Sequence, residues 1–533
     1  MSELVDRLGE GAGSSGFALD VVGIGALNLD YIANASSPPE SPRSRTLTTR
    51  ISELVVQTGS PLEWGTERSV DGVTIHAAIE AASSARPDTS LGGSAFNAIY
   101  AIARTQVGLR LGYVGVAGRV PVIGVSSIQQ FETLGIDHRF VLQDDENLCG
   151  ICFSLCEDGD RTMLTHAGAN EYMADYLDQH FDEIVTYLST VRVIHVTSFL
   201  DPRTAGRLLA VLQAVKAAGR GTLICFDPGH VWSVNPTPEV NEIVRISDFL
   251  LVNHREFREF GTYQPEDTND EVARRLLERF DSDQSTVIVK RSSGIWSYQR
   301  QGSDVVSDFY PQVTLPAEEV EDATGAGDVF AAGLLIVLTC DRLQVELGSL
   351  LGMRLARHKL RYVGSSGHAQ FAEVTRDFIS KLDSERRTGV LPQGVFIAHG
   401  ANSEWLAVRR FIEERFELPV YSFESSSWSG RQVTEALTDC LERCSFAICV
   451  LTAEDFTGDG RRFARQNVVH EVGLFQGRHG FDRVLVLVED GCDFIPQSAK
   501  PYTISFPHNG IDRTFYRLAE IIRSQGLGLV AEK

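Results

Sequence analysis

Basic residues are in deficit: 49 Lys+Arg stand against 71 Asp+Glu in 533 residues, a formal net charge of −22. Phosphate backbones repel so negative a surface, which argues against a nucleic-acid scaffold unless a local basic groove intervenes. Long apolar runs are also missing. The longest, such as Phe330 to Leu338, fall well short of the ~20 residues that span a bilayer. The stretch from Met1 to Gly16 is polar and acidic with no apolar centre, so no secretory leader is expected and the chain reads as cytoplasmic. The nine cysteines are scattered and indicate no disulfide framework. Cys149, Cys152 and Cys156 are spaced like metal ligands. They lie in the apolar run CGICFSLC without a second cluster or a nearby His pair, and a buried strand is preferred over zinc. Cys440, Cys444 and Cys449 read as small core residues on a helix and the next strand.

What is present is ordinary for a globular chain: 43% hydrophobic and 23% charged residues. A mostly disordered chain, a collagen-like chain and a coiled-coil rod are excluded. At roughly 100–200 residues per domain the length predicts three or four domains, or fewer large ones.

Short apolar runs alternate with helical patterns through the first long section. DVVGIGALNLD, VRVIHVTSF, GTLICFDPG, DFLLVNHRE and STVIVKRS read as strands. TAGRLLAVLQAVKAAG and NDEVARRLLERF carry apolar residues at spacings of three and four, as helices do. The alternation predicts parallel βαβ units, with the sheet covered on both faces. ASSPPESPRSR, rich in Ser, Pro and charge, reads as a loop or insertion. Composition breaks after Leu360, and the pattern restarts at VFIAHG as a second α/β unit of about 140 residues, large enough for its own core.

The strongest motif is Asp322-Ala-Thr-Gly-Ala-Gly-Asp328, followed by the small-residue helix VFAAGLLIVL. Gly325 and Gly327 allow close backbone approach, and amides entering a helix N-terminus hold anions. Asp328 at that spot can take a proton from a hydroxyl, an arrangement suited to phosphoryl transfer. A lone Asp at a helix start is also a common cap. Gly25-Ala-Leu-Asn28-Leu-Asp30 ends the first strand with a polar pair, and Gly92-Gly93-Ser-Ala-Phe-Asn97 opens a helix. Such strand-end groups can hold the hydroxyls of a polyol.

Together these residues resemble the ribokinase (PfkB-type) family of sugar and nucleoside kinases, over roughly residues 18–380 and in the expected order. DGDRTMLTHAGAN (Asp158 to Asn170), FDPGHVW and VNHREF fit as well. The resemblance implies a ribokinase-like α/β domain with a small lid sheet. It makes Asp328 the catalytic base and Thr324, Gly325, Ala326 and Gly327 the anion hole. Asn28, Asp30, Gly92, Gly93 and Asn97 would bind the sugar or nucleoside. Asn253, Glu256 and Lys290 would lie on the ATP side, with Mg²⁺ carried by ATP near Asn253 and Glu256 and not by direct protein ligands. A kinase fold used only to sense its ligand stays open beside one that turns over.

The second unit has neither a P-loop nor a Rossmann glycine fingerprint. Its informative stretch is Arg465-Gln-Asn467-Val-Val-His470-Glu471-Val-Gly473-Leu-Phe475-Gln-Gly477. On a helix, Asn467 and Glu471 stand at i and i+4 and share a face. A buried Glu is costly unless paired or used, so Glu471 has either a salt-bridge partner such as Arg465 or Arg431, or a function. VFIAHG, the helix with Trp405, CSFAICVLTAEDF and ARQNVVHEVGLFQGRHG look like the bacterial TIR-like nucleotide-binding domains over about residues 394–525. That resemblance implies a flavodoxin-like parallel sheet, NAD⁺ cleavage at the nicotinamide–ribose bond upon assembly, and Glu471 as the catalytic carboxylate. His399, Gly400, Trp428, Arg431 and Asn467 would shape the NAD⁺ site. His399 and His470 read more readily as satisfied histidines, and Trp428 reads equally as a packing residue.

The expected organisation is an N-terminal tail (1–17), a ribokinase-like domain (18–385, lid or insertion about 31–90), a linker (386–393) and a TIR-like domain (394–533). The expected ligands are a sugar or nucleoside, ATP with Mg²⁺, and NAD⁺. No structural metal, membrane or nucleic acid is expected, and the chain is expected to form a homo-oligomer.

Overall fold

The computed structural model of the chain describes residues 16–34, 46–56, 67–122, 125–157, 160–234, 236–302, 304–312, 315–316, 319–388, 394–416, 418–422, 441, 444–456, 462–492 and 503–524. The chain folds as two compact units. One comprises Met1–Asp308 and Thr314–Ser380, the other Phe309–Val313 and Lys381–Lys533.

The strands of the first unit, in chain order, are β1 (Leu19–Ile24), β2 (Asn28–Asn34), β3 (Glu67–Ser69), β4 (Asp88–Gly92), β5 (Leu111–Arg119), β6 (Asp137–Leu148), β7 (Gly150–Glu157), β8 (Asp160–His166), β9 (Val191–Thr197), β10 (Leu223–Asp227), β11 (Phe249–Asn253), β12 (Thr286–Arg291), β13 (Gly294–Gln301) and β14 (Asp304–Pro311). Nine of them form one sheet in the order β14-β13-β12-β11-β10-β9-β1-β5-β6. From β6 to β12 the pairing is parallel. VRVIHVTSF, GTLICFDPG, DFLLVNHRE and STVIVKRS each contain one strand of this sheet, largely apolar because helices cover both faces, whereas DVVGIGALNLD is not one strand: β1 stops at Ile24, and Asn28 and Asp30 belong to β2 in a different sheet. Val21, Val22, Ile24, Ile194 and Leu250 to Val252 are fully buried. The expectation of parallel units fails at one edge. Only Ser292 and Ser293 separate β12 from β13, too few residues for a crossover, so these two strands pair antiparallel.

A five-stranded sheet in the order β3-β8-β7-β2-β4 forms a second layer. The stretch 31–90 supplies only part of it, since β7 and β8 come from residues 150–166. Two helices, Leu47–Val56 and Gly72–Ala82, bury Ile51, Val55, Ile75 and Ala78 against it. CGICFSLC is confirmed as strand β7, with Cys149 buried just before it. ASSPPESPRSR lies outside the described residues.

Four helices of this unit bear on the site: α1 (Ser94–Thr105), α2 (His254–Phe260), α3 (Ala326–Leu338) and α4 (Val345–Lys359). α3 is buried from Val329 to Leu338, as a helix apolar all round must be. It packs on α4 backbone to backbone. A Cβ on Gly333 would lie 2.4 Å from the Gly352 nitrogen, and one on Gly352 would lie 2.5 Å from the Phe330 carbonyl.

The second unit contains β15 (Gly394–His399), β16 (Val420–Tyr421), β17 (Cys444–Leu451), β18 (Asp455–Phe456), β19 (Arg462–Phe463), β20 (Val484–Glu489) and β21 (Thr503–Phe506). Its main sheet is all parallel, in the order β16-β15-β17-β20-β21. Counted within the sheet this is 2-1-3-4-5, the flavodoxin-like order, whose strand order reverses between β15 and β17. Helix α5 (Trp405–Phe416) and helix α7 (Phe515–Ser524) cover one face, and α6 (Gln466–His479) covers the other. The two-stranded ribbon β18–β19 was not expected from the sequence. Cys444 and Cys449 are buried on β17, while Cys440 and most of the expected helix VTEALTDCLERC lie outside the described residues. Among the described residues, no helix is long and apolar enough to cross a membrane.

Candidate functional sites

In the first unit the carboxyl ends of β10, β11 and β12 present Asp227, Asn253 and Lys290. Lys290 Nζ donates to Asp227 Oδ2 at 2.6 Å. Asn253 caps α2. Its Oδ1 accepts from the Glu256 amide at 2.9 Å, and its own amide donates to Glu256 Oε2 at 2.8 Å. Burial pushes the Glu256 carboxyl up to about 7, reinforced by the Asp227 charge and opposed by Lys290. Burial alone would lower Lys290, but Asp227, Glu256 and Asp328 outweigh it and hold the ammonium above the ordinary lysine range.

Facing these groups is the start of α3. Gly325 is its N-cap, at φ 75°, where a glycine is the natural residue. Asp328, in the first turn, accepts a hydrogen bond from Asn97 Nδ2 of α1 at 2.9 Å. A Cβ on Gly325 would sit 3.5 Å from that Asn97 nitrogen and 3.7 Å from Asp328 Oδ2, and one on Gly327 would sit 3.6 Å from Lys290 Nζ. Asn97, Lys290, Asp328 and the loop Thr324, Gly325, Ala326 and Gly327 therefore converge on one place. A carboxylate beside helix-start amides and an ammonium can accept a proton while an anion is held next to it.

Of the other residues expected at the sugar, Asn28 and Asp30 open β2 and do not end the first strand, while Gly92 and Gly93 lead into α1. Asn28 pairs with Gly92 across β2 and β4, and Asp30 pairs with Ser90. Glycine is required at two positions here. A Cβ on Gly92 would lie 2.1 Å from Asp30 Oδ2, and one on Gly93 (φ 105°) would lie 2.0 Å from the Ala26 carbonyl. Asn170, buried, donates to Asn28 Oδ1 at 3.2 Å, accepts from the Leu27 amide and donates to the Leu27 carbonyl. It fixes Asn28 across 142 residues of sequence. Sequence reading quoted Asn170 as fitting the family pattern but gave it no role.

A second group missed by sequence reading lies behind the anion loop. Asp322 accepts the Thr324 amide on Oδ1 at 2.7 Å, and Lys359 Nζ (2.7 Å) and the Gly364 amide (2.9 Å) on Oδ2. Burial would raise its pKa, but Lys359 and Thr324 hold it below the usual carboxylate range.

In the second unit, His399 and Gly400 end β15 beside the reversal point. The His399 ring stacks on Trp405 with centroids 3.8 Å apart, and its Nδ1 lies 2.7 Å from the Gly400 carbonyl. Glu454, just past β17, gathers four donors: the Ala401 amide (2.9 Å), the Asn402 amide (3.0 Å), Thr452 Oγ1 (2.6 Å) and Arg465 Nε (2.9 Å). A Cβ on Gly400 would meet its carboxylate at 2.2 Å.

Arg465 is the N-cap residue of α6, and six residues on Glu471 is 8% exposed. Arg465, one of the two salt-bridge partners that the sequence left open for Glu471, is engaged by Glu454; Oε2 of Glu471 has no partner among the described residues. Burial alone pushes its carboxyl up to about 8, and its charge in turn adds to the burial that raises the Cys449 thiol. Asn467 precedes Glu471 by four residues on α6. Trp428 and Arg431 lie outside the described residues. Among those residues no group of three or more His, Cys, Asp or Glu side chains is placed to hold a metal ion.

Comparison with known proteins finds two separate matches along the chain. Residues 73–344 match the pfkB family carbohydrate kinases, and residues 394–497 match the TIR domain of the CAP12/Pycsar effector proteins. A Pycsar effector protein of Pseudomonas aeruginosa, PaPycTIR, is 24% identical over 252 residues, 44% of this chain and 79% of that protein. A sugar kinase of Archaeoglobus fulgidus is 26% identical over 232 residues, 43% of this chain and 84% of the relative. Among solved structures, adenosine kinase from Sinorhizobium meliloti superposes with a TM-score of 0.53 at 20% identity, covering 68% of this chain and 99% of that one. This last likeness bears on the fold: the first unit is ribokinase-like.

Proposed function

Since the chain belongs to the pfkB carbohydrate kinase family and carries a Pycsar-type TIR domain, we propose that its first unit binds or phosphorylates a sugar or nucleoside and that its second cleaves NAD⁺ at the nicotinamide–ribose bond. The fusion, together with the effector name of the Pseudomonas relative, supports a role in prokaryotic anti-phage defence by abortive infection.

The observation that carries the second half is Glu471, a buried carboxyl with an oxygen unclaimed among the described residues, within the residues of the TIR match. As the glycosidic bond breaks, its electron pair passes to the nicotinamide ring and positive charge builds on the ribosyl carbon. An ionised Glu471 stabilises that charge. Burial favours the protonated carboxyl in the free protein, and the cationic ring of NAD⁺ favours its ionised form on binding. Glu454 braces the loop that follows His399 and Gly400 through the Ala401 and Asn402 amides.

In the first unit Asp328 takes the proton of a substrate hydroxyl whose oxygen attacks the terminal phosphorus of ATP. The amides of Thr324 to Gly327 and the Lys290 ammonium hold the phosphate charge. Asn28, Asp30 and Asn97 orient the hydroxyls. The carboxylates of Asp227 and Glu256 suit a cation brought in on the nucleotide; magnesium, when bound with ATP, neutralises the phosphate oxygens.

The test is NAD⁺ consumption by concentrated purified protein, with and without ATP plus a panel of ribosides. Consumption triggered by one additive, and lost in Glu471→Gln, supports the reading. Consumption that persists in Glu471→Gln removes Glu471 as the catalytic group. A kinase with a non-hydrolysing, nucleotide-binding C-terminal regulator is the second reading. It is favoured by the fully assembled Asn97–Asp328–Lys290 cluster, and would be indicated by riboside phosphorylation without NAD⁺ loss.

A further inference from the structure

The buried pair behind the anion loop goes beyond a generic stabilising contact. Asp322 and Lys359 have side chains 3% and 2% exposed, 37 residues apart in sequence. Lys359 Nζ donates twice to the same residue, to Asp322 Oδ2 at 2.7 Å and to the Asp322 carbonyl at 2.8 Å. One ammonium therefore neutralises the carboxylate and fixes the orientation of the peptide that leads into Thr324. The carboxylate then spends its remaining capacity on backbone: Oδ1 on the Thr324 amide and Oδ2 on the Gly364 amide. The Glu321 amide adds a bond to the Leu360 carbonyl at 2.9 Å. Gly364 in turn faces Ser90 on β4, where a Cβ would approach the Ser90 Oγ to 3.3 Å.

The loop Asp322–Asp328 thus has its first peptide tied to the end of α4 by a single buried charge, while its last residues start α3. Without that charge, Asp322 would be an isolated buried carboxylate. It would either protonate, losing an acceptor for the Thr324 or Gly364 amide, or turn outward.

We propose that Lys359 is a positioning residue acting as a tethered cation. It holds the loop Thr324–Gly327 in the conformation that presents its amides to phosphate. The proposal deepens the kinase reading of the first unit and rests on it for its functional meaning. Lys359 acts through Asp322 and the loop.

The prediction is cation-specific. Lys359→Met empties a space beside a carboxylate that a small monovalent cation can refill, whereas a bulky one cannot. Hydrogen exchange of the amides at Thr324 to Gly327 in the full chain reads the loop directly. Calorimetric titration with Mg-ADP reads its competence to hold phosphate. In Lys359→Met, exchange at these amides is expected to quicken at least about tenfold and ADP affinity to fall about tenfold. Ammonium or potassium chloride should restore both, and tetramethylammonium chloride at the same ionic strength should restore neither. The double variant Asp322→Asn/Lys359→Met, which buries no charge, guards against simple unfolding: its thermal transition should recover while loop exchange stays fast.

Unchanged loop exchange in Lys359→Met overturns the proposal. So does equal recovery in tetramethylammonium, or a double variant in which loop and stability recover together. A wild-type loop that is protected and cation-tethered in a chain that phosphorylates no riboside would instead count against the kinase reading, and the exchange data would still decide the tether.

Discussion

The two sites handle buried charge in opposite ways. In the first unit every carboxylate near the anion loop has a partner in place: Asp227 has Lys290, Asp328 has Asn97, and Asp322 has Lys359. In the second unit Glu454 is saturated by four donors, yet Glu471 keeps an oxygen with no partner among the described residues and is raised by burial alone. The first site is preorganised, its charges set before any ligand arrives. The second stores an unfavourable burial that a ligand or an assembly partner can relieve. A preorganised site suits standing chemistry or sensing, and a site holding an uncompensated carboxyl suits an activity that must stay silent until triggered.

The comparison can be broken at its strongest point first. Asp328→Asn removes the proposed base and should lower riboside phosphorylation about 10²–10⁴-fold with the thermal transition of the unit nearly unchanged. If activity survives, the preorganised cluster is not catalytic. Glu471→Gln should lower NAD⁺ cleavage about 10²–10³-fold in a luminescent or chromatographic NAD⁺ assay. Third, Lys359→Met leaves Asp322 buried and unpaired, and should cost the first unit about 3–5 kcal/mol in urea unfolding. Glu471→Gln has no such partner to orphan and should stabilise the second unit.

The pH dependence sharpens the same contrast. The folded pKa of Glu471, about 8, lies above the ordinary carboxyl value of 4.5. The folded state therefore binds the extra proton between these values, and this contribution to stability is lost as pH rises from near 4.5 through about 8. The second unit should melt at progressively lower temperature over that window in the wild type but much less so in Glu471→Gln. NAD⁺ cleavage measured below saturation should rise over the upper part of the window as the carboxyl ionises. A flat profile for both would mean that Glu471 is not buried without a partner in solution.

Much of this was legible in the sequence, for identifiable reasons. Strands buried on both faces are largely apolar, so DFLLVNHRE announces itself, and VRVIHVTSF does so despite Arg192 and His195. The loop from Asp322 to Asp328 is local, and its glycines mark the turn into α3. What escaped was long-range. The small sheet recruits β7 and β8 from beyond residue 149, a pairing that no local pattern encodes. Asn170 reaches Asn28 across 142 residues, and Glu454 reaches Ala401 across 53. Lys359 did leave a trace: Leu347, Leu351, Leu355 and Lys359 are spaced by four on α4, so the lysine occupies a place on the buried stripe. A charged residue in register with leucines is a sign that its charge is wanted inside. Glu471 was legible by the same logic, but the fate of Arg465 was not, because it depends on which of two acidic residues the fold brings closer.

The glycine contact between α3 and α4 has a mechanical consequence. With Gly333 against Gly352 there is no side-chain cushion, so the two antiparallel helices move as one stiff rod. Asp328 and Lys359 sit at one end of that rod, and the turn carrying Leu343, 74% exposed, sits at the other. A helix of this length is about 20 Å long, so a tilt of about 5° at the loop carries the far turn through about 2 Å. A fluorophore on that turn would act as a pointer, reporting occupancy of the anion loop from a distance at which it disturbs nothing.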